Sequence, residues 1–288
     1  MDSSRLNQAS IVIAAVMIVI GTLGNIFSLV VLCRKKLRSM NIGLYLIVLC
    51  FNDLIVLHTT LLDIMLGTFN IRRENINKNL NIVIWIIANF SRAFSSWITV
   101  MITVHRMFAL SRPFSVLRIL PKGYKPQIIS LIIMAGVLII ISIVYNSFVF
   151  MKHEIYINSN NLINLILNST IYSFLPAIIL VICNIIIINT IYHRPISRDT
   201  SPQHNTVYLV LAINIMFLIC TLPPSIIFSF ASKIKFENSH NIYVLISGFN
   251  NAFNFVLYMV AGRLFREEMK LLLKRKDKIN IFAVNINA

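Results

Sequence analysis

Six ionisable side chains lie within long apolar stretches of the sequence, where a charge is costly unless it has a partner or a function. In chain order they are Asp53, His58, Asp63, Arg92, His105 and Arg106. Such residues can bind ions, pair with a charged ligand or engage a partner protein. Because they provide neither a metal-ligand cluster nor a nucleophile paired with a base, the pattern favours binding over enzymatic catalysis.

The stretches that contain these residues are long enough to cross a bilayer. A hydrocarbon core of roughly 30 Å requires about 20 apolar residues in a helix, and 57% of the 288 residues are hydrophobic while 12% are charged. The first to seventh predicted spans are residues 11–33, 42–69, 82–110, 128–150, 165–192, 207–230 and 242–260. The predicted fold is therefore an all-α membrane protein, a seven-transmembrane helix bundle.

The distribution of Lys and Arg predicts the orientation of the bundle. Of the 26 basic residues, 17 lie in loops and tail on one side and 7 on the other. Because cytoplasmic loops carry the positive excess, we expect a plasma-membrane protein with an extracellular N-terminus and a cytoplasmic C-terminus. The net charge of +16 is dispersed beside apolar spans, which favours contact with anionic lipid and argues against a nucleic-acid partner.

The sequence divides into a short extracellular N-terminus, 1–10, a transmembrane domain, 11–260, and a cytoplasmic segment, 261–288. In the last segment Phe265, Met269 and Leu272 recur at helical spacing, while basic residues occupy the opposite face. This pattern predicts an amphipathic helix on the inner membrane surface. A solvated charged tail is the alternative.

Several polar residues are predicted at one depth in the bundle. At about 1.5 Å of rise per residue, Asp53 in the second span and Ser95 in the third lie near the same level. In the seventh span, Asn250, Asn254 and Tyr258 are spaced by four residues and so share one helix face. We expect a hydrated polar core around Asp53; hydrogen bonds that only hold the helices together are the alternative.

Arg92 is predicted about one turn nearer the outside than Asp53, on the same side of the third span as Arg106. Its guanidinium is a candidate counter-ion for Asp53. Asp63, about 15 Å further out than Asp53, is the candidate contact for a cationic group of a ligand. An internal pair between Asp63 and Arg92 is the alternative.

Ordered motifs along the chain resemble those of rhodopsin-like (class A) G-protein-coupled receptors, from Gly24 to about Leu273. They are Gly24-Asn25, Leu49-Cys50-Phe51-Asn52-Asp53, His105-Arg106 with the downstream Pro113, Pro176 with Asn184, Phe217-x-x-Cys220-Thr221-Leu222-Pro223, and Asn254-Phe255-x-x-Tyr258. The Asn-Phe-x-x-Tyr form is most similar to that of invertebrate FMRFamide-type neuropeptide receptors.

The resemblance implies a cell-surface receptor that transmits the binding of an extracellular ligand, a neuropeptide, to a heterotrimeric G protein. Arg106 would engage the G protein once the sixth span swings outward, and Tyr258 would support that state. The other activation positions would be Pro113, Pro176, Asn184, Phe217, Pro223 and Asn254. The resemblance also implies an allosteric sodium ion, and no other cofactor, with a site at Asp53, Ser95, Asn250 and Asn254.

The candidate ligand-binding residues are Asp63, Arg92 and Ala88. In amine receptors of the resembled family, an acidic residue stands at the position of Ala88, so a monoamine ligand is not expected. An Arg-Phe-amide peptide would present a cationic group to Asp63.

The sequence departs from the resembled family in ways that bear on switching. His105 replaces the acidic residue that restrains the arginine, and Thr221 stands where the sixth-span motif has Trp. We therefore expect a weaker inactive state and some ligand-free activity. Two alternatives remain: a small transporter or channel, since intramembrane Asp and Arg also mark ion paths, and a degenerate receptor that no longer signals.

Overall fold

In the computed structural model the described residues are 3–61, 64–65, 78–111, 124–153, 169–193, 202–230 and 239–286. Every regular element within these ranges is helical. The helices are Ser3–Leu32, Lys35–Arg38, Gly43–Val56, Leu57–Leu61, Lys78–Ser111, Tyr124–His153, Thr170–Phe174, Leu175–His193, Pro202–Phe230, Ser239–Ala252, Asn254–Ala261 and Arg263–Ile286.

Seven stretches of helix within the described residues are long and apolar enough to cross a membrane, which confirms the predicted seven-span fold. The first to seventh spans are Gln8–Leu32, Gly43–Leu61, Val83–Leu110, Lys125–Val144, Thr170–His193, Thr206–Ile227 and Asn241–Ala261. The second and fifth spans each contain a π-helical turn. In the fifth span the turn Thr170–Phe174 ends two residues before Pro176, which cannot supply the amide of a regular helical hydrogen bond.

The bundle buries polar side chains and exposes apolar ones, as expected for helices surrounded by lipid. Asn25, Asp53 and Asn214 are fully buried. By contrast, Ile132 and Ile140 on the fourth span are 64% and 63% exposed. The apolar surface therefore faces outward along the spans, and the polar groups must find their partners inside.

Among the apolar clusters of the interior, the two largest lie on opposite sides of a polar layer. We define the inner end as the end with Arg34, Arg106 and the helix Arg263–Ile286, and the outer end as the opposite one. The cluster toward the inner end includes Val31, Leu49, Ile102, Val210 and Tyr258. The cluster toward the outer end includes Met17, Leu57, Tyr172, Tyr243 and Ala252. Along the second span, Asp53 lies between Leu49 and Leu57, between the two clusters.

The helix Arg263–Ile286, called the surface helix, is attached to the inner end by ion pairs. The Nε atom of Arg34 lies 2.6 Å from Oε2 of Glu268, whose side chain is 6% exposed. Lys36 and Arg263 both lie near Glu267, and the hydrogen bond from Arg263 lowers the pKa of that carboxyl. The surface helix is thus attached to the segment that follows the first span.

A sharp junction separates the seventh span from the surface helix. A Cβ atom at Gly262 would lie 2.5 Å from the carbonyl oxygen of Tyr258, so this position has no room for a larger residue. Arg266 donates from Nη1 to the carbonyl oxygens of Met259 and Val260. It thereby satisfies acceptors that the end of the seventh span leaves open.

We predict that the substitution Glu268→Gln lowers the free energy of unfolding by about 1–2 kcal/mol, because it weakens a charge-assisted hydrogen bond at a buried carboxylate. Glu267→Gln is the matched control, with an expected cost below about 0.5 kcal/mol because its ion pairs are exposed. Both can be measured by heating the purified protein with a thiol-reactive dye that reports exposure of the buried Cys50, Cys183 and Cys220. Equal losses for the two variants would contradict the assigned role of Glu268.

Candidate functional site

Asp53 is the centre of a buried hydrogen-bond network between the second, third and seventh spans. Its Oδ1 accepts from Asn251 Nδ2 at 2.6 Å and from Ser95 Oγ at 3.1 Å. Its Oδ2 accepts from Asn254 Nδ2 at 2.7 Å. Asn251 also donates to Ser95 Oγ at 3.2 Å. A buried carboxyl requires such donors, because burial removes it from bulk solvent.

The first span joins this network through the backbone of the seventh. Asn25 Nδ2 donates to the carbonyl oxygens of Gly21, at 2.9 Å, and Asn251, at 3.0 Å. The two helices approach closely here, since a Cβ atom at Gly21 would lie 3.0 Å from Cα of Ala252. The network around Asp53 therefore connects four of the seven spans.

The hydrogen-bond network includes an amide of the seventh span that was not among the predicted site residues. Asn251, and not Asn250, donates to Asp53, and the buried Oδ1 of Asn250 has no hydrogen-bond partner. The prediction assumed one regular helix from Asn250 to Tyr258. Instead the helix is interrupted at Phe253, with φ −108° and ψ 6°, so the 3.6-residue period does not continue across this residue.

Oxygen atoms around Asp53 could serve a hard cation such as sodium, which prefers carboxylate, carbonyl and hydroxyl ligands. Asp53 provides a carboxylate and Ser95 a hydroxyl, and further amide oxygens are buried on the first and seventh spans. Oδ1 of Asn25, Asn250 and Asn254 are each buried without a hydrogen-bond partner. Within the described residues, no three His, Cys, Asp or Glu side chains form a transition-metal cluster. The donor set thus fits the chemistry of sodium.

Arg92 does not contact Asp53, which corrects the expectation that it is the counter-ion. Its Nη2 donates to Oδ1 of Asn89 at 2.5 Å. Its guanidinium carbon lies 5.8 Å from the ring centroid of Tyr172 on the fifth span. The side chain therefore extends toward the fifth span, while three neutral donors surround Asp53. Ala88 is buried, and Asp63 lies outside the described residues.

Arg106 is at the inner end of the third span and is only 5% exposed. Its Nε atom is buried without a hydrogen-bond partner, and no ion pair joins it to another described residue. The neighbouring His105 has its own contacts: Nε2 lies 2.8 Å from the Tyr45 hydroxyl, which is 2.5 Å from Ser130 Oγ. Pro113 lies outside the described residues.

An amide chain that the sequence analysis did not identify connects the third, fifth and sixth spans near Arg106. Thr103 Oγ1 donates to Asn214 Oδ1 at 2.9 Å, and Asn214 Nδ2 donates to Asn184 Oδ1 at 2.7 Å. Thr103 and Asn214 are fully buried. Of these three residues, Asn184 alone was among the predicted activation positions. The signal for Asn214 is its amide, a polar group within an apolar sixth span that has no ionisable residue.

Other predicted activation residues occupy defined positions around this chain. Phe217 is buried against Val100 and Leu180, and so fills the space between the third, fifth and sixth spans. Pro176 is buried, whereas Pro223 is exposed within the continuous helix Pro202–Phe230. The fully buried Tyr258 accepts a hydrogen bond from Cys50 Sγ at 3.7 Å, and its ring lies 5.6 Å from that of Phe265 on the surface helix.

Comparison with known proteins yields one family. Residues 12–163 match the family described as serpentine type 7TM GPCR chemoreceptor Srw. A search of curated proteins finds no match. The matched region extends from the first span to beyond the fourth and includes Asp53, Arg92 and Arg106.

We predict that Asn251→Leu destabilises the protein more than Asn250→Leu does. The first variant removes donors from Asp53 and Ser95 and should cost about 1.5–3 kcal/mol, the range for hydrogen bonds to charged groups. The second removes an amide whose Oδ1 has no partner and should cost less than about 1 kcal/mol. The same thermal unfolding measurement checks both, and a larger loss for the Asn250 variant would contradict the network described above.

Proposed function

Because the chain belongs to the family of serpentine type 7TM GPCR chemoreceptors called Srw, we propose that it transmits the binding of an extracellular peptide across the plasma membrane to a heterotrimeric G protein. Membership of this family makes it a cell-surface G-protein-coupled receptor, a class of signalling proteins with extracellular ligands and G-protein partners. The peptide ligand, the coupling residues and the orientation of the termini are the proposed parts.

The coupling proposal rests on the environment of the Arg106 side chain. A buried guanidinium with an unpaired Nε and no ion pair to a described residue is available to a partner that offers acceptors. It is located at the inner end, close to the basic segments that the positive-inside rule assigns to the cytoplasm. A G protein that inserts a segment between the third and sixth spans would provide such acceptors.

The peptide proposal rests on the resemblance to FMRFamide-type receptors and on the neutral residue Ala88. Asp63 remains the proposed contact for a cationic group of the peptide. A second candidate function has its own support, since the family is described as a chemoreceptor family. In that case the ligand would be an external chemical, and coupling through Arg106 would be unchanged.

The amide chain near Arg106 supports a two-state mechanism. The chain from Thr103 through Asn214 to Asn184 holds the sixth span against the third and fifth, and it would have to break if the sixth span moved outward. A ligand shifts such an equilibrium only if it binds the two states unequally. We further propose that sodium binds at Asp53, Ser95, Asn250 and Asn254 and stabilises one of the states.

We predict that Arg106→Ala abolishes the response of cells to an activating ligand, because the G protein loses its contact at the inner end. A library of peptides and a library of small organic compounds would be screened on cells that express the full chain, with calcium and cyclic AMP as readouts. Lys125→Ala, an exposed residue at the same end, is the control and should respond like the wild type.

An epitope at the N-terminus, detected on intact cells, verifies surface expression and the proposed orientation. A response that survives Arg106→Ala at equal surface expression would contradict the coupling proposal. Activity found only with the organic compounds would favour the second candidate function.

We predict that Asn214→Leu raises ligand-free signalling by roughly fivefold or more, because it removes two buried hydrogen bonds worth about 1–2 kcal/mol together. The wild type should itself signal above mock-transfected cells, since His105 replaces the acidic restraint. Thr190→Val is the control, because this half-buried threonine on the fifth span bonds only to its own helix. Unchanged basal signalling in the Asn214 variant, at equal expression, would argue that the amide chain does not restrain the sixth span.

A further inference from the structure

Arg92 lies beside two buried tyrosines in the half of the bundle toward the outer end. Its guanidinium is 5.8 Å from the centroid of the Tyr172 ring and close enough to Tyr243 to interact with it electrostatically. Tyr172 is 7% exposed and Tyr243 is 6% exposed. Both belong to the outer apolar cluster. The half-buried cation therefore lies against the ring of Tyr172, with the hydroxyl of Tyr243 within electrostatic reach.

The charge of Arg92 has no anionic partner among the described residues. Its hydrogen-bond acceptor, Asn89 Oδ1, is neutral. Asp53 is the acidic residue that the described parts of the spans contain, and its carboxylate accepts from Ser95, Asn251 and Asn254 instead. A cation inside a membrane protein is costly unless an anion or water compensates it.

The polar neighbours of the two tyrosines are neutral. Ser247 lies near the Tyr172 hydroxyl, and Ser225 lies near that of Tyr243. The hydroxyls of Ser247 and Ser225 donate to the backbone carbonyl oxygens of Val244 and Thr221. The guanidinium of Arg92 is therefore the group that complements an anion here, because it combines a positive charge with N–H donors.

We propose that Arg92, Tyr172 and Tyr243 form a subsite for a carboxylate of the extracellular ligand. The planar guanidinium can donate two parallel hydrogen bonds to a carboxylate, which gives both strength and orientation. The ring of Tyr172 faces the guanidinium and interacts with it as a cation–π pair. This inference rests on the proposed receptor function, and it specifies the chemistry of the ligand group that reaches the middle of the bundle.

The subsite favours a carboxylate over a carboxamide at this depth, so an Arg-Phe-amide peptide would contact Asp63 and leave this subsite unfilled. A neutral carboxamide would leave the charge of Arg92 uncompensated, whereas a carboxylate would neutralise it. The carboxylate can belong to the C-terminus of a peptide or to a small organic acid. A cationic group of the same ligand can still reach Asp63, which is predicted nearer the outside.

The test compares matched carboxylate and carboxamide probes on the purified full-length protein in lipid nanodiscs. One pair is phenylacetate and phenylacetamide, which imitates a small acid. The other is N-acetyl-phenylalanine and its amide, which imitates a peptide C-terminus. The readout is the unfolding temperature, followed by dye labelling of the buried cysteines. We expect each carboxylate at saturating concentration to raise it by roughly 2 °C or more, and each amide to leave it nearly unchanged.

Substitutions at Arg92 test whether this residue causes the difference in unfolding temperature between acid and amide probes. Arg92→Gln should abolish the difference between acid and amide, and Arg92→Lys should reduce it because a lysine lacks the guanidinium fork. Lys125→Gln removes the same charge from the inner end and should keep the wild-type difference. Acid and amide probes with equal effects on the wild type would overturn the proposal, and this comparison requires no variant to fold.

Asp63 is tested as an internal competitor. If the preference for carboxylates emerges only in Asp63→Asn, then Asp63 itself occupies the subsite and the proposal is overturned. A larger shift with N-acetyl-phenylalanine than with phenylacetate supports a peptide terminus, and the reverse supports a small acid; both outcomes support the carboxylate subsite. Because the readout involves no G protein, failure here leaves the test of coupling at Arg106 unaffected.

Discussion

The buried carboxyl group of Asp53 imposes the constraint on which the arrangement of the helices depends. A carboxylate removed from water must be surrounded by donors, and here they come from Ser95 on the third span and from Asn251 and Asn254 on the seventh. Three helices must therefore meet at one depth with defined rotations. Asn25 then fixes the first span against the backbone of Asn251.

The polar layer at this depth divides the molecule into two functional halves. Toward the outer end, Arg92 and the tyrosines around it provide a positively charged environment enclosed by apolar side chains. Toward the inner end, Arg106 is surrounded by the apolar cluster that includes Ile102 and Tyr258. A signal between these halves has to cross the layer of Asp53, where hydrogen bonds have few alternative arrangements.

The third span takes part in three of the polar networks inside the bundle. Ser95 belongs to the Asp53 network, Thr103 to the amide chain with Asn214 and Asn184, and His105 to the contact with Tyr45. In the resembled receptors an ion pair restrains the arginine, whereas here neutral hydrogen bonds connect the same helices. Neutral hydrogen bonds contribute about 1 kcal/mol each, so the balance between two states depends on several small terms.

The sequence by itself determined the seven spans, because the length and hydrophobicity of each segment are properties of consecutive residues. It also singled out Asp53, Ser95, Asn254 and Arg106, since a polar group in an apolar helix is conspicuous without a partner. Only the tertiary structure decided which partners meet. The interruption at Phe253 brought Asn251 instead of Asn250 to Asp53, and helix packing directed Arg92 to Tyr172 and joined Thr103 to Asn214. Such choices depend on the rotation and separation of neighbouring helices, which the period of a single helix does not contain.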